Sequence, residues 1–335
     1  MLTTKQPIHF LIAIILCFIS SSVLAFNTNR QFVLNLSSGY GYLLGQEILL
    51  DNIANQYPDL AREAYLAKAR FNTKFPNLKD KHFKVINSLD IPEVNQAFKE
   101  STKQLQALVS ANNKNLSKLE AIDFINEVNN RANGDIESPF LENFLIIQYN
   151  DKPQQEMLDG FYNTFSSQGL SKAKGLNVTI KTPKSWQEQE ASRPNIAKKW
   201  ISQNGTGVDS IMLLIKDMPV SDIRLNDMHE LYNTGEIYDM VPEGMSVVDK
   251  GAPIVLDRLP GYWMQVEGNM QRLDNSFYIN QTLYNIFYKN KMISIQCTVY
   301  DSSEANTYAQ LRAEKLRPLC ENVANSLVIQ NQWKQ

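Results

Sequence analysis

The stretch Met292-Ile293-Ser294-Ile295-Gln296-Cys297-Thr298-Val299-Tyr300 decides the C-terminal fold. Ile293, Ile295, Cys297 and Val299 alternate with Ser294, Gln296 and Thr298, the period of a strand with one face on a core, so Cys297 points inward. The period then changes. Between Glu304 and Leu327, the residues Leu316, Cys320, Val323 and Leu327 recur at four-, three- and four-residue steps, which is one stripe of a helix. A helix that directly follows an antiparallel strand packs back on its sheet, so both sulfurs face one interface. Register decides whether they bond, because Cα atoms more than ~7 Å apart cannot be bridged. Pro318 is expected to kink this helix or split it in two.

Upstream, the same period of two recurs. Met245 to Val255, Tyr262 to Arg272 and Phe277 to Tyr288 read as strands, separated by breaks at Pro260-Gly261, Asp274-Asn275 and Asn290. With the Cys297 strand they form an antiparallel meander. Leu176 to Thr182 reads as an opening strand ending at Pro183, and Ser210 to Ile215 as a buried one. Ile196 to Ile201 suggests a short helix after Pro194, and Asp222 to Tyr232 another.

The N-terminal half has a helical period. Leu60, Ala64, Ala67, Phe71 and Phe75 form one apolar stripe, and Ile91, Val94, Phe98, Leu105 and Leu108 a second. Asp90-Ile91-Pro92-Glu93 carries an N-cap acid, a first-turn proline and a glutamate three residues after the cap. Ser117-Lys118-Leu119-Glu120 repeats the capping-box pattern, with a left-handed stop at Asn133-Gly134. Asp151-Lys152-Pro153 opens a further helix that places Met157, Leu158, Phe161, Tyr162 and Phe165 on one face. The small, polar stretch Ser166 to Gly175 is the domain-boundary loop.

Residues 1–25 form a leader: Lys5, an apolar run from Ile8 to Ile19, then Val23-Leu24-Ala25 at a cleavage site. The apolar run is short beside the roughly 20 residues needed to span a bilayer, and charged or amide residues interrupt every later apolar segment. Export leaves Cys297 and Cys320 as an even pair in an oxidising compartment, which favours a disulfide over two buried thiols. The chain has 335 residues, with 33 Lys+Arg against 35 Asp+Glu, a balance that excludes a nucleic-acid footprint. The expected organisation is a leader over 1–25, a helical domain over 26–150, a connecting helix and linker over 151–175, and an α+β domain over 176–335. The fold class is α+β, an all-α N-terminal domain followed by a sandwich of a mainly antiparallel sheet and a C-terminal covering helix.

The element order of residues 176–329 resembles the PsbP-like fold, named for the extrinsic subunit P of photosystem II. The features that carry the resemblance are Thr182-Pro183-Lys184-Ser185-Trp186 after the opening strand, the hairpin around Leu259-Pro260-Gly261-Tyr262, and a closing helix ending Ala324-Asn325-Ser326-Leu327. The resemblance implies an assembly or binding factor without a shared catalytic constellation, and it covers the C-terminal half alone.

Catalytic patterns are few. Gly39-Tyr40-Gly41 with Gly45, after a strand-like Phe32 to Leu36, has the wrong spacing for a dinucleotide fingerprint, and close packing of Gly41 and Gly45 against a neighbouring helix is expected instead. His82 and His229 sit in polar surroundings that read as solvated surface, and neither belongs to a zinc spacing. A hydrolase built on His229 with a distant nucleophile is the alternative reading, although no Gly-x-Ser-x-Gly elbow exists. Tyr262, Trp263, Tyr278, Tyr284 and Tyr288 make the meander aromatic. On an uncovered sheet face they would form a binding patch, and under the docked helical half they would form a second buried layer. The sequence thus points to an exported, periplasmic or secreted, non-enzymatic binding or assembly protein, with no cofactor and no metal. Its partner is a protein or small molecule of the cell envelope.

Overall fold

The computed structural model describes residues 30–88, 116–136, 139–220, 222–272, 275–301 and 306–333, with scattered positions between 96 and 107. The expected leader over 1–25 and the capping pattern at Asp90 lie outside the described residues. So does most of the second apolar stripe, of which Phe98 is buried edge-on to Tyr40 at 4.8 Å.

Five helices of the helical half are described: α1 (Arg30–Gln56), α2 (Ala61–Lys74), α3 (Leu78–Ser88), α4 (Lys118–Asn133) and α5 (Pro139–Tyr149). The α2 stripe of Ala64, Ala67 and Phe71 is buried as its spacing requires. At α4 the capping box forms: the Ser117 amide donates to Glu120 Oε2 at 2.8 Å, the Glu120 amide donates to Ser117 Oγ at 3.3 Å, and Gly134 ends the helix at φ 80°. Phe32 to Leu36 is the first turn and a half of α1, not a strand. Over a window this short a strand and a buried helix look alike, and only the continuation through Leu43, Leu50 and Ile53 reveals one buried helical stripe. Nor is Gly45 packed closely, since a Cβ there would meet nothing within 4 Å. Gly39 is the tight position, where a Cβ would lie 3.3 Å from His82 Nε2.

The connecting helix α6 (Pro153–Leu158) is shorter than expected. Gly160, at φ 95°, turns the chain, and Tyr162–Ser166 becomes strand β1, so Leu158 is 65% exposed rather than packed. Phe161 joins the helical core and Phe165 the sheet core, which one continuous helical face cannot do. The segment 151–175 thus contributes a strand as well as a helix and a loop.

Beyond it run β2 (Val178–Pro183), β3 (Gln187–Gln189), β4 (Ile196–Ile201), β5 (Ser210–Asp217), α7 (Leu225–Thr234), β6 (Met245–Leu256), β7 (Leu259–Arg272), β8 (Asn275–Tyr288), β9 (Lys291–Asp301), α8 (Asn306–Asn325), β10 (Val328–Ile329) and α9 (Gln330–Trp333). Ile196 to Ile201 is a strand, correcting the helix expected there. Its register against β5 puts Trp200 opposite Ile211 in the core, and this pairing overrides a weak local helical pattern. Two antiparallel sheets result, β1-β2-β10 and β3-β4-β5-β9-β8-β7-β6. The break between β6 and β7 is Asp257-Arg258, both at positive φ, and not Pro260-Gly261, which lies within β7. Gly261 is required there for another reason: a Cβ would sit 2.2 Å from the Asn285 carbonyl of β8.

α8 and the three-stranded sheet share a core with one face of the large sheet, while α7 covers part of the other face over Tyr262, Met264 and Phe287. Pro318 neither ends nor divides α8. The missing N–H costs about 3 kcal/mol, which burial of Leu316, Leu319 and Val323 against the sheet offsets.

Candidate functional site

The sites anticipated in the sequence separate into one that forms and several that do not. Cys297 and Cys320 are joined, with Cα atoms 5.9 Å apart and both residues buried. Strand alternation and helical stripe meet across the β9–α8 interface, as both periods require.

The five aromatics do not make one patch. Tyr262 lies under α7 and is 2% exposed, whereas Tyr278 (4%) and Tyr284 (7%) belong to the opposite, α8-facing core. They divide because Tyr262 pairs opposite Asn285 and Trp263 opposite Tyr284, so adjacent β7 residues face opposite sides. Trp263 and Tyr288 are partly covered at the border of the α8-facing core, with Trp263 stacked on Tyr284 at 6.3 Å. The covering layer comes from α7 and α8, and not from the helical half. His229 is exposed on α7, without a hydrogen bond or ion pair among the described residues, so no triad is assembled around it. The described residues hold no group of His, Cys, Asp and Glu able to bind a metal.

Two buried carboxylates meet at the cleft where the helical half joins the sheet. This cleft, of about 80 Å³, is lined by Tyr149, Glu156, Ser185, Ser202, Arg312 and Lys315 among others. Glu156, on α6, is fully buried. It accepts the Ser185 amide and the Ser185 hydroxyl, each at 2.7 Å. Desolvation nonetheless pushes its carboxyl up to about 7, against the lowering effect of those hydrogen bonds. Asp209, at the foot of β5, pairs with Arg312 of α8, and there too desolvation outweighs the guanidinium and raises the carboxyl to about 6. Perturbed acids in a cleft are the usual mark of chemistry. Here Glu156 and Ser185 are sealed from solvent, and the space is far below the roughly 300 Å³ of a small-ligand pocket. The carboxylates fasten the two halves together and expose no nucleophile.

A larger hollow, of about 350 Å³, lies on the helical half between α1, α2 and the start of α3. Leu50, Phe71 and Phe75 form its floor, and Gln46, Glu47, Lys68 and Lys79 its walls. Beneath it, His82 is fully buried, which corrects the solvated surface expected from Asp80-Lys81-His82. Its Nδ1 donates to the Leu78 carbonyl at 2.9 Å, its ring meets Phe144 edge-on, and burial pushes it down to about 4. The stripe Leu78, His82, Val85 and Ile86 was the signal available for this, outweighed in reading by its two charged neighbours.

No protein-family model and no curated protein sequence matches the chain. Among solved structures, it is similar to LpqN, a protein involved in cell envelope biogenesis of Mycobacterium tuberculosis, at 12% identity and a TM-score of 0.29, over 51% of this chain and 93% of that one. A Bacteroides thetaiotaomicron protein is similar at 9% identity and a TM-score of 0.26, over 45% of this chain and 44% of its own.

Proposed function

We propose that the chain is an exported, non-enzymatic binding or assembly protein of the cell envelope or its surroundings, with a PsbP-like C-terminal half. The observation that carries this reading is the Cys297–Cys320 disulfide, closed inside the β9–α8 interface. Disulfides of this buried, structural kind persist where thiols oxidise, and the leader pattern over 1–25 supplies the route. The organisation that goes with it is a helical domain over 26–150, a connector over 151–175 and an α+β domain over 176–335. Its partner is a protein or small molecule and no nucleic acid, in keeping with the charge balance. Among the described residues no helix is long and apolar enough to cross a membrane. The hydrolase reading loses its support, because His229 faces solvent away from every serine and carboxylate it would need.

The test is thiol titration in denaturant of protein isolated without reductant, together with the mass of its N-terminal peptide. No free thiol and a chain beginning at Phe26 are expected. Two free thiols on a chain that retains 1–25 inside the cell would overturn the reading.

A further inference from the structure

The hollow between α1, α2 and α3 falls at the lower end of the volumes that hold small ligands. Its chemistry is specific. Gln46 is 6% exposed, and its Oε1 accepts from Arg131 Nη1 at 2.9 Å, which fixes the orientation of the amide. Arg131 is itself locked, by Glu127 and by the Tyr42 ring 4.6 Å from its guanidinium. The Gln46 NH₂ group is thereby left on the wall of the hollow without an acceptor among the described residues, and a buried donor of that kind calls for one.

A second donor set lies at the end of the hollow. α3 begins there, with the Leu78 amide donating to Phe75 O and the Lys81 amide to Asn77 O. The Lys79 and Asp80 amides between them, first-turn donors of an eleven-residue helix, have no acceptor among the described residues. A carboxylate suits that position, because amides and the helix dipole favour negative charge, and Lys79 Nζ stands beside it.

Opposite charge is also provided. Glu47 bridges Lys79 at 2.7 Å and Lys68 at 3.4 Å, Asp51 holds Lys68 at 2.9 Å, and Asp80 is exposed at the rim. Two lysines against three carboxylates leave the site close to neutral, which disfavours a ligand of large net charge and suits one that carries both signs. Phe71 and Phe75 are packed into the core against each other at 4.9 Å, so they offer a buried apolar floor and no free ring face for a sugar to stack on.

We propose that this hollow binds a short zwitterionic peptide with an aliphatic side chain. Its C-terminal carboxylate sits at the first turn of α3 beside Lys79 and the Gln46 NH₂, its ammonium group lies at Glu47, and its side chain rests over the floor. The proposal rests on the reading of the chain as a binding protein and names the ligand class of that function.

Calorimetric titration of the full mature chain with dileucine, N-acetyl-dileucine, dileucine amide and glucose tests it. Saturable binding of dileucine is expected, weakened at least tenfold by capping either end. Lys79→Gln should weaken it tenfold or more with an unchanged unfolding midpoint. Gln46→Glu keeps an acceptor for Arg131, so it should remain folded while dileucine binding is lost. Absence of dileucine binding, equal binding of the capped forms, indifference to both substitutions or binding of glucose in its place would each overturn the assignment. None of these results bears on the thiol and N-terminal measurements, so a failure of the ligand class is distinguishable from a failure of export.

Discussion

Ser185 gives both its amide and its hydroxyl to the carboxylate of Glu156, each at 2.7 Å. The first residue lies in the turn between β2 and β3 and the second on α6, so one buried acid ties the connector to the sheet.

That tie is sensitive to pH in an uncommon direction. The folded carboxyl titrates near 7 and the unfolded one at its ordinary 4.5. Below 4.5 both states are protonated and the fold is at full strength. As pH rises from 4.5 through 7 the unfolded state loses its proton first, so stability falls. Glu156→Gln should therefore match the parent at pH 4.5 and exceed it at pH 8 by on the order of 2 kcal/mol. Urea midpoints at the two pH values check this, and equal midpoints at pH 8 would refute it.

His82 acts in the opposite sense. Burial holds it near 4 in the fold against 6.5 in the open chain, so the stability it supports is present above 6.5 and lost as pH falls through 4. In His82→Met the helical half should keep its amide protection between pH 6.5 and 4, where the parent's declines. Hydrogen exchange resolved by segment measures it. A parallel decline in both proteins would assign the acid sensitivity to another group.

The disulfide closes a loop with a sequence separation of 23 residues. In the chain-entropy view such a loop contributes about 3 kcal/mol. Cys297→Ala combined with Cys320→Ala should lower unfolding stability by about that much, and reductant should reproduce most of the loss in the parent while leaving the variant unchanged. A parent indifferent to reductant in denaturant would contradict the covalent link.

The cap at Ser117 is a local, independent test. Ser117→Ala removes the acceptor for the Glu120 amide, and a cost of about 1 kcal/mol is expected for a lost N-cap. Thermal unfolding followed by circular dichroism at 222 nm reads it. An unchanged midpoint would mean that α4 is held by packing alone.

Much of the fold was legible from local pattern. The meander strands, the α2 stripe, the capping box at Ser117 and the facing of Cys297 and Cys320 each follow from a period of 2 or 3.6 within one segment. The misreadings share a cause. Ile196 to Ile201 and Phe32 to Leu36 are short apolar runs whose type is set by a distant neighbour, β5 in one case and the helical core in the other. Pro260-Gly261 carries turn chemistry, yet its glycine serves the close approach of Asn285 on β8.

The candidate sites were less legible. Glu156 reaches Ser185 across 29 positions of sequence, and the hollow's walls come from α1, α2 and α3. Nothing within a single segment signals either meeting, because each residue looks like ordinary solvated surface until its partner is placed.

By itself, the sequence determined what each segment can be: periodicity assigns a buried face, and a leader with an even cysteine pair assigns a compartment and a covalent link, all properties of short-range order. The tertiary structure alone decided which buried faces meet. Burial free energy depends on area removed from water by the whole assembly, so the division of the aromatics between two faces, the burial of His82 and the acids trapped at the junction emerge only when all the elements are packed.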